Sequence, residues 1–260
     1  MTKPSSTIYR SNLSELEKQL TSAIERGCRK CAKTPTVFFR ADDIGIPSKQ
    51  FSQLISGFKK HKMPLCLATV PTWLNPSRLK DLQQLTGDSK YQWCWHQHGY
   101  VHRNFELVGK NQEFGPARIY SEVTSSLEKG KHRLNLLLGT LNQPVFTPPW
   151  NRCSVETLQS LQDLNFQAIS RSLGAKPHTK EAFPDFQVNV DLHTRKELSP
   201  NDGFQNLLGE LEESLASGRC GIMLHHQRMN GRAVHLLDTL LGCLQRKAGI
   251  SFVHFGDLLS

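Results

Sequence analysis

Two short stretches hold the residues whose types and spacing could do chemistry. In FFRADDIG, residues 38 to 45, an apolar run ends in the adjacent carboxylates Asp42 and Asp43. Neighbouring anions repel and each resists leaving water, so the pair belongs on an open surface or beside something positive. The second stretch, WHQHGYVHRN at 95 to 104, carries His96, His98 and His102. His98 and His102 are four apart. A helical or turn-like backbone brings such imidazoles to one side, where both can hold one metal ion with a third ligand from elsewhere. Asp43 supplies that ligand in this reading. Asp42 then stands close to the ion without binding it, the place for a general base that takes a proton from water activated by the ion. Three histidines alone fit half-buried hydrogen-bonding groups better; the aspartate pair turns the reading towards metal.

These residues need elements to position them. Apolar runs bounded by turn residues predict strands at 36–42, 64–70, 91–96, 144–148, 166–171, 186–192, 220–225 and 250–255. Helical periodicity predicts helices at 48–61, 76–86, 116–138, 154–163, 203–217 and 231–247, preceded by one near 12–32. Leu207, Leu208, Leu211 and Leu215 make one apolar stripe, Leu134, Leu137, Leu138 and Leu141 another, and 173–185 reads as a loop. Alternating short apolar strands and helices predict an α/β fold with a parallel sheet, and seven or eight repeats predict a closed or nearly closed barrel. A doubly wound open sheet is the alternative, but the first strand-to-helix turn, ADDIGIPSK, lacks a glycine-rich phosphate loop. In a barrel, chemistry sits at the carboxyl ends of strands. Asp42 and Asp43 follow the first predicted strand, the three histidines the third, and TPPWNR (147–152) the fourth. Asp191 and His193 follow the sixth, His225 and His226 the seventh.

The 260 residues suit one domain, 1–260, with 1–33 as an N-terminal helical extension packed on the barrel. The N-terminus shows no apolar secretory segment and no run of 18 uncharged apolar residues occurs, so the expected location is the cytoplasm. Seven scattered cysteines, mostly in apolar segments, suit reduced buried thiols. CRKC at 28–31 lacks the second pair of a zinc ribbon and follows no strand, so it reads as a helix end. A net charge of +9 could attract nucleic acid, anionic lipid or anionic sugars, but the cations are dispersed and no nucleic-acid-binding motif is present.

The ordered motifs ADD (41–43), HGYVH (98–102), TPPW (147–150) and MLHH (223–226) resemble the polysaccharide deacetylase (NodB-homology) family of metal-dependent carbohydrate deacetylases. The sequence is most similar to its divergent branch carrying RADDIG and HGYxH, and the resemblance runs from about residue 36 to 226. It implies a distorted (β/α)7-8 barrel, with Asp42 as catalytic base, Asp43, His98 and His102 as metal ligands, and His225 as catalytic acid. His226 is the alternative acid. The family's fourth-strand motif usually begins with an arginine that holds the catalytic aspartate, where this chain has Thr147. Arg40 is a candidate replacement, since strand alternation puts it on the face of Asp42; Arg118 and Arg152 are others.

Thr147, Pro149 and Trp150 are expected to support or bind substrate. Trp73 could join them at the cleft, because aromatic faces pack on the C–H faces of sugars. Asp191 could orient His225 and favour its imidazolium. The expected activity is removal of an acyl group, N-acetyl first, from an amino sugar or glycan. Hydrolysis of another linear or cyclic C–N amide, or carbohydrate binding without turnover, are the alternatives. One divalent ion is expected, zinc first, with cobalt, nickel, manganese or iron accepted by the same ligands. The expected partner is a carbohydrate, with no nucleic acid and no transmembrane segment.

Overall fold

The computed structural model describes residues 6–87, 89 and 91–260. In chain order its elements are α1 (Leu16–Lys30), β1 (Thr36–Ile44), α2 (Lys49–His61), β2 (Leu65–Thr69), α3 (Pro76–Thr86), β3 (Trp93–His98), α4 (Tyr120–Leu138) and β4 (Asn142–Thr147). They continue with α5 (Val155–Asp163), β5 (Ala168–Ile169), β6 (Val190–Asp191), α6 (Pro200–Ala216), β7 (Arg219–Leu224), α7 (Gly231–Arg246), β8 (Ser251–Phe252) and α8 (Phe255–Leu258). The sheet order is β5-β4-β3-β2-β1-β7-β6, with β8 also pairing with β1. The pairs β1–β7, β1–β8, β3–β4, β4–β5 and β6–β7 are parallel. This is the α/β alternation that the apolar runs predict. The chain divides into two compact units, each gathered from separate stretches.

The first unit takes residues up to 41, 47–65 and 189–254. Here β1 pairs with β7 from Thr36 opposite Arg219 to Ala41 opposite Leu224, and Asp191 of β6 lies opposite Met223. That register delivers His225 at the carboxyl end of β7. The α6 stripe of Leu207, Leu208, Leu211 and Leu215 is buried as its spacing requires. Helix α1 approaches α6 so closely that a Cβ on Gly27 would lie 2.7 Å from the Glu212 carbonyl oxygen. Ser48, Ser199 and Asn230 start α2, α6 and α7 with side chains that accept from a backbone N–H three residues on.

The second unit comprises 42–46, 66–188 and 255–260. Its core holds Phe114, Val123, Leu127, Phe146, Leu161 and Ile169 among others. Leu134 and Leu138 of the second predicted stripe are buried, while Leu137 and Leu141 are only partly so. The β3–β4 register shifts between His96 and Gln97, so that His98 comes to lie opposite Thr147. Pro144, which has no N–H to donate, occupies the irregular stretch of β4.

Three predicted strands are far shorter than their apolar runs. Residues 166–171, 186–192 and 250–255 retain ladder pairing only at β5, β6 and β8, two residues each. Around β5 the pairing breaks into isolated bridges, Ile169 with Asp185 and Ser172 with Val188. Residues 173–185 form no helix or strand, and CRKC closes α1, with all seven cysteines free.

Candidate active site

Strand β1 delivers the carboxylate pair and β3 the histidines. Asp42 and Asp43 are each only 2% exposed, so neither sits on an open surface and a positive partner is required. Asp43 has a φ of 63°, in the left-handed region, which breaks strand alternation between the two neighbours. Val70 N–H donates to the Ile44 carbonyl, fixing β2 beside this turn. Gly45 follows with a φ of 152° where a Cβ would lie 2.7 Å from the Cβ of Trp73, so only glycine fits.

His98 is the last residue of β3. Gly99 (φ 60°) and His102 (φ 55°) then turn the chain back, which is how a four-residue spacing converges without a helix. Nε2 of His98 lies 3.4 Å and Nε2 of His102 2.9 Å from Oδ1 of Asp43. Ligand atoms of the three residues all fall within 4.8 Å of one another. Bonds of about 2.1 Å in a tetrahedral zinc site place ligand atoms about 3.4 Å apart, so two imidazole nitrogens and a carboxylate oxygen fit a divalent ion here. Burial works against charge on His98, but the hydrogen bond to Asp43 and the charges of Asp42 and Asp43 outweigh it and raise its pKa. Without an ion, the His98 imidazole is thus drawn to carry positive charge beside the carboxylates.

The other predicted residues divide clearly. His96, fully buried, faces the Thr147 hydroxyl through Nε2 at 2.9 Å and packs on Phe255; it is not among the converging ligands. Thr147 also uses its backbone, its carbonyl accepting from His98 Nδ1 at 2.9 Å and from the Gly99 N–H at 3.1 Å. Pro149 packs where a Gly99 side chain would be, 2.6 Å from the built Cβ. Trp150 adopts a φ of 57°, costly for a bulky residue, and its ring centroid lies 4.8 Å from that of His102. The Trp73 ring is 5.4 Å from the same imidazole. Both tryptophans therefore flank His102.

Of the three candidate arginines, Arg118 stacks on Phe105 and bonds the Glu113 and Glu122 carbonyls and Ser126, while Arg152 donates to the Asn111 carbonyl. Arg118 thus ties the loop after β3 to α4, and Arg152 bonds the same loop. Arg40 is fully buried in the first unit, with Nη2 3.3 Å from Met223 Sδ.

In the first unit His225 is half-buried, whereas His226 is 1% exposed and packs edge-on to Phe51. Asp191, expected to orient His225, spends its carboxylate on the backbone N–H groups of His193 and Thr194 and on the Thr194 hydroxyl. His193 meets His225 through its Nδ1, which accepts the His225 backbone N–H at 3.0 Å. Period-two alternation could not reveal this, because His193 lies beyond the end of β6. Burial, reinforced by the charges of His225, His226 and Arg228, pushes the His193 pKa from 6.5 down to about 3. His193 therefore sits in the fold as a neutral imidazole.

Sequence reasoning missed Glu113, a fully buried acid in the polar stretch NQEFG. The signal for its partner was visible: Gly99 stands between the two candidate ligands His98 and His102, where only a residue tolerant of positive φ serves.

The sequence matches no protein-family model and no curated protein. Solved structures share its fold. A candidate polysaccharide deacetylase from Mycobacterium smegmatis superposes with a TM-score of 0.63 at 13% identity, covering 87% of this chain and 89% of its own. A family 4 acetyl xylan esterase from Clostridium thermocellum, solved with a cobalt ion, gives 0.53 at 13% identity over 86% and 89%. A CE4 family pseudoenzyme from Bacillus anthracis gives 0.53 at 13% identity over 88% and 66%. The chain has the polysaccharide deacetylase fold.

Proposed function

We propose that this chain is a metal-dependent hydrolase of the polysaccharide deacetylase family that removes an acyl group, N-acetyl first, from an amino sugar or glycan. The observation that carries the reading is the convergence of Asp43, His98 and His102 on one point, with a second buried carboxylate, Asp42, next to Asp43 in sequence. Asp43, His98 and His102 would hold a divalent ion, zinc first among the candidates, which would supply Lewis acidity at the site.

The chain's own residues do the rest. Asp42 accepts the proton that water loses as its oxygen bonds to the amide carbonyl carbon. His225 donates a proton to the departing nitrogen as the C–N bond breaks, leaving acetate and a free amine. Its half exposure suits a group that meets substrate, while His226 is packed beneath Phe51. Trp150 and Trp73 offer aromatic faces to sugar C–H groups. No described helix is long and apolar enough to cross a membrane, and we place the activity on a carbohydrate in the cytoplasm.

A binding barrel without turnover is the second reading, favoured by Thr147 at the position of the family arginine and by the existence of a pseudoenzyme with this fold. Incubation with a panel of acetylated amino-sugar oligomers separates them. The deacetylase releases acetate, loses that activity to a chelator and regains it with zinc or cobalt; a binder retains the oligomers and releases none.

A further inference from the structure

The turn that carries His98 and His102 closes around an anion supplied by the chain itself. Glu113 Oε1 accepts the backbone N–H groups of Tyr100 at 3.1 Å and Val101 at 2.7 Å, and Oε2 accepts that of His102 at 3.0 Å. Successive backbone N–H groups in a turn form a concave nest for an anion. Here a fully buried carboxylate fills it.

Everything around Glu113 fixes its place. The Asn104 side chain accepts from the N–H groups of Glu106 and Gln112, and Phe105 N–H donates to the Gln112 carbonyl, closing the loop after β3. On the other flank the Phe114 carbonyl accepts from Ser154 N–H and the Thr157 hydroxyl at the start of α5. Gly99 lets the carboxylate approach, since a Cβ there would come within 2.3 Å of Oε2.

We infer that Glu113 is a positioning residue for the metal centre, holding the His98-to-His102 turn so that His102, in its left-handed conformation, meets Asp43 beside His98. The inference rests on the proposed metal reading of those three residues. A neutral acceptor of the same shape cannot replace it: the amide introduced by E113Q has one acceptor oxygen and turns an NH2 towards N–H donors. Partners that hold ligands in place commonly contribute about 10- to 100-fold to metal affinity.

Equilibrium titration with Co²⁺, read by its visible absorption and by chelator competition, tests this in the full chain. E113Q is expected to bind about 10- to 100-fold more weakly than the parent, with an unchanged far-UV spectrum, and E113D to recover part of the loss. E106Q, altering another acid of the same loop, should bind as the parent does. A Glu113 that served the fold alone would lower the melting temperature of the metal-free protein and leave the affinity of the folded protein unmoved, which overturns the inference. D43N and H102A keep the two readings apart. If they bind Co²⁺ as the parent does, the metal reading fails; if they lose it while E113Q keeps parental affinity, only the role of Glu113 fails. Hydrogen exchange on the metal-free parent requires no variant to fold: the amides of Tyr100, Val101 and His102 should be protected, and exchange at open-chain rates overturns the inference.

Discussion

The carbonyl of Thr147 accepts a hydrogen bond from Nδ1 of His98 at 2.9 Å, which leaves Nε2 as the nitrogen facing Asp43. A ligating histidine is oriented by what its other nitrogen bonds. The position where the family arginine would stand thus contributes through its backbone.

Thr147→Val keeps that carbonyl and removes the hydroxyl that meets His96. We expect about 1 to 3 kcal/mol of destabilisation, the usual cost of taking a partner from a buried polar group, with Co²⁺ affinity unchanged. Urea unfolding beside a metal titration checks both. Loss of metal affinity would mean that the Thr147 side chain also serves the centre.

His98→Ala and His102→Ala should each abolish stoichiometric metal binding, because two remaining ligands seldom hold a catalytic ion. His96→Ala should keep one equivalent while losing stability, since its ring is packed on Phe255 and bonded to Thr147. Elemental analysis after dialysis gives the stoichiometry, and retention of metal without both His98 and His102 would misplace the centre.

Acid should weaken the fold through His193. An unfolded chain takes up a proton there near pH 6.5, whereas the folded chain resists until about 3. The depressed pKa thus contributes stability that is fully present above about 6.5 and lost as pH falls towards 3, at up to about 1.4 kcal/mol per pH unit for one proton. Urea unfolding from pH 7 to 4 should show His193→Gln with a shallower decline than the parent. Parallel declines would mean that this imidazole already carries its proton in the fold.

How much of this was legible in the sequence depended on whether a residue's role is local. The Asp42–Asp43 pair and the His98–His102 spacing declare themselves, because ligand types a turn apart converge whether the backbone is a helix or, as here, a reversal through Gly99. The α6 stripe was equally readable. Glu113 was not: it reaches the turn only because a loop of about ten residues folds back on itself through Asn104. The contact of His193 with the His225 backbone was not legible either, because β6 ends at Asp191 and alternation assigns nothing beyond it. The runs at 166–171 and 250–255 are apolar enough for strands, but apolarity reports burial, and burial does not guarantee a pairing partner.

The division of labour between Asp42 and Asp43 is the core of the account, and one measurement reaches it most directly: metal content of purified Asp42→Asn and Asp43→Asn proteins at equal free zinc. Asp42→Asn should retain one equivalent, so that any loss of turnover, about 100- to 10,000-fold for a general base, arises with the centre intact. Asp43→Asn should lose its metal, since its carboxylate is one of the three proposed ligands. Two variants that keep the ion equally, or lose it equally, would contradict the account.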